Sequence, residues 1–258
     1  MHNIKLFESE DHLFVFLNEN KSSPEQGIHS NQYLIKHNDH SVLLDPGGFN
    51  VMPNVLSELL RYTTIDKVSA IILSHQDPDV LGGIVSWLAL SAANVYIPEV
   101  WLRFVPHLGI TTDIHRFHAV PDQGMEYDME DNYKLQIIPA HFLHSEGNIN
   151  VYDPASKILF TGDLGAASSI LNDNPFVEDF ARHIQHIEAF HKRYMCSNRA
   201  IKAWLKRISK LDIDMIAPQH GRIYKGKVLK EFLDWLSNLK CGVDLFDSNG
   251  LLDMGANN

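Results

Sequence analysis

Four apolar runs in this chain each pass, within about three residues, into a side chain that can ligate a metal: "IILSHQDPD", "IIPAHFLH", "ILFTGD" and "MIAPQHG". One such ending is an ordinary polar turn, because Asp, Pro and His are frequent where a strand stops. Four constrain the fold far more, since strand ends gathered at one edge of a sheet are where loops converge on a common site. In the first run His75, Asp77 and Asp79 occupy alternate positions, and an extended chain sends alternate side chains to the same side. Pro78 disfavours the helical region for Asp77 and so keeps that residue extended.

The remaining pattern predicts strands over 13–17, 32–36, 41–44, 68–73, 94–97, 134–138, 148–152, 158–161 and 214–217, where β-branched or alternating apolar residues cluster. Helical spacing covers 53–62 with proline in its first turn, 83–91, 178–194, 198–210 behind a Ser197 cap, and 227–239. A strand meander that gives way to mixed strands and helices implies an α/β (α+β) chain of sheets covered by helices. No repeat or linker divides the chain, so residues 1–245 are expected to form one domain, with 246–258 a flexible C-terminal tail.

The formal charge of -10 argues against a nucleic-acid surface, which needs clustered cations to neutralise phosphates. The densest basic stretch, His191 to Lys210, carries helical apolar spacing through Ile201, Trp204, Leu205 and Ile208, so its cations read as a solvated helix face. No apolar run approaches the ~20 residues that span a bilayer. The N-terminus has no basic segment leading into an apolar stretch, and two cysteines, Cys196 and Cys241, have no paired-motif spacing. A cytoplasmic location without disulfides is expected.

Convergence of the four endings would gather three imidazoles, His75, His144 and His220, and three carboxylates, Asp77, Asp79 and Asp163. Six ligands exceed the needs of one tetrahedral zinc and suit two metals that share a carboxylate and a water or hydroxide. Carboxylate in place of imidazole moves the preference towards harder ions, iron or manganese over zinc, although zinc binds N/O sites more tightly than ferrous iron when both are supplied. Without metal, three gathered aspartates repel one another.

At these residues the chain resembles the metallo-β-lactamase superfamily, whose first motif reads H-x-H-x-D-H. Asp77 stands at the second histidine, and an acidic residue there is similar to the flavodiiron branch and the related stand-alone oxygen-binding di-iron proteins. "FLHSEGN" around His144, the 18 residues between it and Asp163 in "LFTGDLG", and "APQHG" around His220 extend the likeness along nearly the whole chain. The resemblance implies a four-layer αβ/βα sandwich. It implies His75, Asp77 and His144 on one metal, Asp79 and His220 on the other, and Asp163 between them. It also implies two iron ions joined by water, hydroxide or oxo, with zinc or manganese as alternatives, and a homodimer. Two departures stand out: Asp77 is one methylene shorter than the family's glutamate, and Val80 replaces the last histidine of the motif, leaving the second metal an open position.

Several residues have plainer readings beside functional ones. Asp45 in "LLDPGG" resembles the family's strand-ending aspartate, which would support the site, but an Asp-Pro-Gly turn explains it as well. His141 is a rival to His144 and is expected to line the entrance. Glu146 reads as a solvated acid. Glu188 and His191 have the E-x-x-H spacing of four-helix di-iron proteins, yet such a bundle needs two copies. His183, His186 and His191 therefore read as structural residues or as supports around the site.

Three functions follow from such a site. A di-iron centre would bind or sense O2, or reduce O2 or nitric oxide with electrons from a separate donor, because flavodiiron enzymes carry a flavin domain for which this chain is too short. A zinc or manganese pair would hydrolyse a phosphoester, thioester or lactone. An interaction module would use metals only to staple its loops. Oxygen binding or sensing, with a redox or signalling protein as partner, is the favoured expectation.

Overall fold

A computed structural model describes residues 3–17, 28–167 and 174–254. The first sheet has seven strands whose spatial order follows the chain: β1 (Ile4–Glu8), β2 (His12–Leu17), β3 (Gln32–His37), β4 (His40–Leu44), β5 (Val68–Ile72), β6 (Asn94–Pro98) and β7 (Phe117–Val120). Strands β1 to β4 form an antiparallel meander, and β4 to β7 are parallel. Parallel neighbours need crossovers. These are supplied by α1 (Met52–Leu59), by α2 (Pro78–Leu81) with α3 (Ile84–Leu90), and by α4 (Glu99–Leu102).

The second sheet contains β8 (Met125–Asp128), β9 (Lys134–Pro139), β10 (Ile149–Asp153), β11 (Ile158–Phe160), β12 (Met215–Ala217) and β13 (Tyr224–Lys225), in the order β13-β12-β11-β10-β9-β8. Its parallel pair, β11 and β12, is joined through α5 (Phe180–Tyr194) and α6 (Asn198–Ile208), and α7 (Gly226–Asn238) follows β13. Ser197 caps α6 by accepting from the Ala200 N–H, as the sequence predicts.

Three apolar clusters define the layers. Phe14, Phe16, Tyr33, Ile35, Val42 and Leu44 of the first sheet meet Leu135, Ile137, Val151, Phe160 and Ala217 of the second. The opposite face of the first sheet is covered by Val55, Leu59, Ile84 and Trp87, and that of the second by Ile187, Ile201, Trp204 and Phe232. The order is therefore helix, sheet, sheet, helix, the expected αβ/βα sandwich. Cations of the basic stretch, Lys202, Lys206, Arg207 and Lys210, are exposed while Ile201, Trp204 and Ile208 are buried, so the stretch is an amphipathic helix on the core.

Each of the nine predicted strands is present, and four more, β1, β7, β8 and β13, are the outermost strands of the two sheets. An outer strand pairs on one side only and tolerates polar residues, so "FHAV" and "MEYD" lack the apolar run of an interior strand. The short helices α2 and α4 were likewise not predicted; at four residues each they carry no period.

Candidate metal centre

Strands β5, β9, β11 and β12 all end at one edge of the sandwich, and the loops leaving them carry the predicted ligands. Strand β9 is antiparallel to β10, which is antiparallel to β11, so β9, β11 and β12 run the same way. The two sheets are tied here by Asn31 Nδ2, which donates to the carbonyls of Pro218 and Gly221 at 2.9 Å each, and by Ile149 N–H, which donates to Ser74 at 3.0 Å.

One ligand-type atom from each of His75, Asp77, His144 and Asp163 falls within 4.8 Å of the others. Asp163 Oδ2 is 2.9 Å from His144 Nε2 and 3.9 Å from His75 Nε2. Asp77 Oδ2 lies 3.4 Å from His144 Nε2 and 3.6 Å from His75 Nε2, so the shorter aspartate reaches the cluster. On the other side, Asp163 Oδ1 is 3.3 Å from His220 Nε2, which is 3.1 Å from Asp79 Oδ2. The two oxygens of Asp163 thus face two different imidazole groups.

Alternation places His75 and Asp77 together, but it does not account for Asp79. Helix α2 begins at Pro78, whose fixed φ suits a first helical position, and this turns Asp79 out of the extended chain towards His220. Val80 is fully buried in the apolar cluster beneath α2, so the place of the motif's last histidine is a packing position.

The imidazoles are aimed by their other nitrogens. His75 Nδ1 is 2.8 Å from Ser74 Oγ, whose hydroxyl donates to Asp45 Oδ2 at 2.5 Å while the Ser74 backbone N–H donates to Asp45 Oδ1 at 2.7 Å. Asp45 is fully buried with φ +42, and burial pushes its carboxyl up to about 6 against the pull of His75 and Ser74. The supporting role thus describes Asp45 better than a bare turn does. His220 Nδ1–H donates to the His29 carbonyl at 2.7 Å, leaving Nε2 to face the cluster. Gly162 has φ +58, and a Cβ there would lie 2.9 Å from Ser74 Oγ, which accounts for the glycine of "TGD".

Two further histidines brace the Asp163 loop. His191, fully buried, donates from Nδ1 to Ile187 C=O at 2.7 Å and accepts the Gly165 N–H on Nε2 at 2.9 Å. His183 sits 3.1 Å from the Tyr224 hydroxyl, which donates to Gly165 C=O at 2.8 Å. Burial pushes both histidines down to about 4, so they are neutral. Glu188 pairs with Lys192 at 3.0 Å. His141 Nε2 lies 3.1 Å from the Asp122 carbonyl and outside the cluster, and Glu146 is exposed. Ser74, His29 and Gly165 were not predicted: two act through main-chain groups that any residue supplies.

Metal-free, the cluster is a charged network. Burial opposes charge on the imidazoles, but the carboxylates outweigh it: His144 is held up at about 9, bonded to Asp163 and Asp77, and His75 and His220 are raised as well, chiefly by Asp163. Asp77 is lowered by the neighbouring imidazoles of His144 and His75; Asp163, despite burial, is lowered by His220 and His75. Among the described residues His75 Nε2 is buried without a hydrogen bond. An orphaned, inward-facing nitrogen beside a two-faced carboxylate is what a metal pair would complete, and the donor set fits such a group. Among the described residues no helix is long and apolar enough to cross a membrane.

The family model described as ODP family beta lactamase matches residues 28–221. Among solved structures, the peroxy diiron species of chemotaxis sensor ODP superposes with a TM-score of 0.84 at 41% identity, covering 95% of this chain and 97% of that one. The apo state of chemotaxis sensor ODP from T. denticola gives 0.83 at 42% identity, over 94% and 96% of the two chains. The metal soaked Flv1 flavodiiron core from Synechocystis sp. PCC6803 is alike in fold, with a TM-score of 0.72 at 19% identity over 92% of this chain and 61% of that one. Putative diflavin flavoprotein A 4 of Synechocystis sp. is 26% identical over 219 residues, 81% of this chain and 35% of the relative, so the chain spans about a third of that protein's length. The matched segment contains all six residues of the cluster, and the chain belongs to the ODP family of beta-lactamases, with the metallo-β-lactamase fold.

Proposed function

We propose that this chain is a dinuclear non-haem iron protein that binds O2 as a sensor. The observation that carries the reading is Asp163, whose Oδ2 faces His144 and His75 while its Oδ1 faces His220. His75, Asp77 and His144 would hold one ion, Asp79 and His220 the other, with Asp163 shared. Bound there, an iron pair supplies redox-active Lewis-acid chemistry towards a small ligand such as O2. The likeness to chemotaxis sensor ODP at 41% identity supports sensing over turnover.

The chain's own groups do the rest. Three aspartates offset three of the four positive charges of two divalent ions, and the neutral imidazoles of His75 and His220 keep Nε2 inward because Ser74 and the His29 carbonyl occupy Nδ1. Unit 1–245, a homodimer, and a redox or signalling partner complete the reading. Nitric oxide reduction and zinc or manganese hydrolysis use the same donors; the carboxylate at Asp77 favours iron or manganese over zinc.

Anaerobic reconstitution with ferrous iron, metal counting, and absorption spectra before and after air test the reading. Two irons per chain and an oxygen-dependent near-ultraviolet or visible band are expected. A colourless protein that cleaves esters or phosphodiesters with zinc would replace it with hydrolysis.

A further inference from the structure

A line of hydrogen bonds leaves the cluster and reaches the surface. Gln76, between His75 and Asp77, places its Nε2 3.0 Å from Asp77 Oδ1, the carboxylate oxygen turned away from the imidazoles. The Ser145 hydroxyl donates to Gln76 Oε1 at 2.6 Å, and Trp101 Nε1–H donates to Ser145 Oγ at 3.2 Å.

The chemistry of the two ends fixes every direction between them. An indole N–H only donates and a carboxylate only accepts, so Ser145 must pass its own proton on to Gln76, and the Gln76 amide must turn its nitrogen to Asp77. All donors therefore point towards one negative charge, the arrangement in which successive bonds polarise one another.

The outer end sits on a packed arm. Trp101 belongs to α4, and the segment from α4 through Val105–Leu108 exposes Val100, Phe104 and Leu108 at 36%, 44% and 37%. The loop that bears His144 and Ser145 touches this arm so closely that a Cβ at Gly147 would fall 2.4 Å from Val100 Cγ1 and 3.2 Å from Trp101 Nε1. A shift of that loop towards the arm would meet Val100 and Trp101.

We propose that Gln76, Ser145 and Trp101 are positioning residues that hold the Asp77 carboxylate in its ligating orientation and couple it to the exposed arm 99–108. The inference rests on the reading that Asp77 is a metal ligand. It assigns to the residue between two ligands a task that the ligand motif leaves blank.

The test uses the full chain labelled with 15N and zinc as a diamagnetic probe. The Trp101 indole resonance is identified by its loss in Trp101→Phe. Zinc is expected to move that resonance in the unaltered protein. Gln76→Leu is expected to abolish the movement while the indoles of Trp87, Trp204 and Trp235 keep their positions, which establishes that the variant is folded. Gln76→Leu and Ser145→Ala should each weaken zinc binding about tenfold, the usual scale for a group that orients a ligand, and Ser145→Thr, which keeps the hydroxyl, should recover most of it. An unmoved Trp101 resonance, or unchanged affinity in both variants of a chain that still loads two ions, overturns the line and leaves the metal centre standing. A chain that binds neither zinc nor iron overturns both.

Discussion

Ser74 gives its backbone N–H and its hydroxyl to the two oxygens of Asp45, at 2.7 and 2.5 Å, and so turns a strand-ending aspartate into the support for His75. Asp45→Ala should leave the Ser74 N–H buried without an acceptor, at a cost of about 1–3 kcal/mol in unfolding free energy. Metal affinity should fall by roughly 10–100-fold as His75 loses its fixed orientation. Denaturant melts of the metal-free chain and chelator competition measure the two effects separately.

Asp163 faces both imidazole groups, Oδ2 towards His144 and Oδ1 towards His220. Asp163→Ala is expected to abolish the paired-metal signature, whereas His141→Ala, whose ring is engaged with Asp122, should retain two ions per chain. Metal counting with electron paramagnetic resonance of the mixed-valence form decides; two coupled ions in Asp163→Ala would refute the shared ligand.

The histidines make the metal-free and metal-loaded chains respond oppositely to pH. His144 is held up at about 9 from 6.5, so its contribution to stability is fully present below pH 6.5 and is lost as pH rises through about 9. His75 and His220 shift in the same direction. The metal-free melting temperature should therefore fall over this window. Metal must displace those protons, so affinity should rise over the same window, about tenfold per pH unit for each proton released. Calorimetry with chelator and with metal should give slopes of opposite sign.

Val80→His restores the histidine of the family motif but not a ligand. Val80 is fully buried among apolar side chains, so an imidazole there should cost about 1–3 kcal/mol without raising metal affinity. Thermal melts and zinc titration of the variant check this.

The interior strands and the residues at their ends were legible because burial on both faces leaves a continuous apolar signal that stops abruptly at a ligand. His75, His144, Asp163 and His220 are of this kind. Alternation along an extended chain does not account for the position of Asp79 beside His220, since Pro78 both extends Asp77 and starts a helix. The supports of the site were the least legible part. The His29 carbonyl acts on His220 across 191 residues of sequence, and a carbonyl leaves no trace in residue type. His191 reads as a structural or supporting residue, but its hold on Gly165 depends on a fold contact that no spacing encodes.

The four outermost strands bear on solubility. Among the described residues each has a side with no neighbouring strand in its sheet, the kind of border onto which a stray chain can zip. Each also carries a hydrophilic side chain in the open: Lys5 and Glu8 on β1, His118 on β7, Glu126 and Asp128 on β8, and Lys225 on β13. Such residues make an incoming apolar strand lose hydration at every border, so the polarity that hid these strands from a sequence reading also guards the protein against intermolecular aggregation.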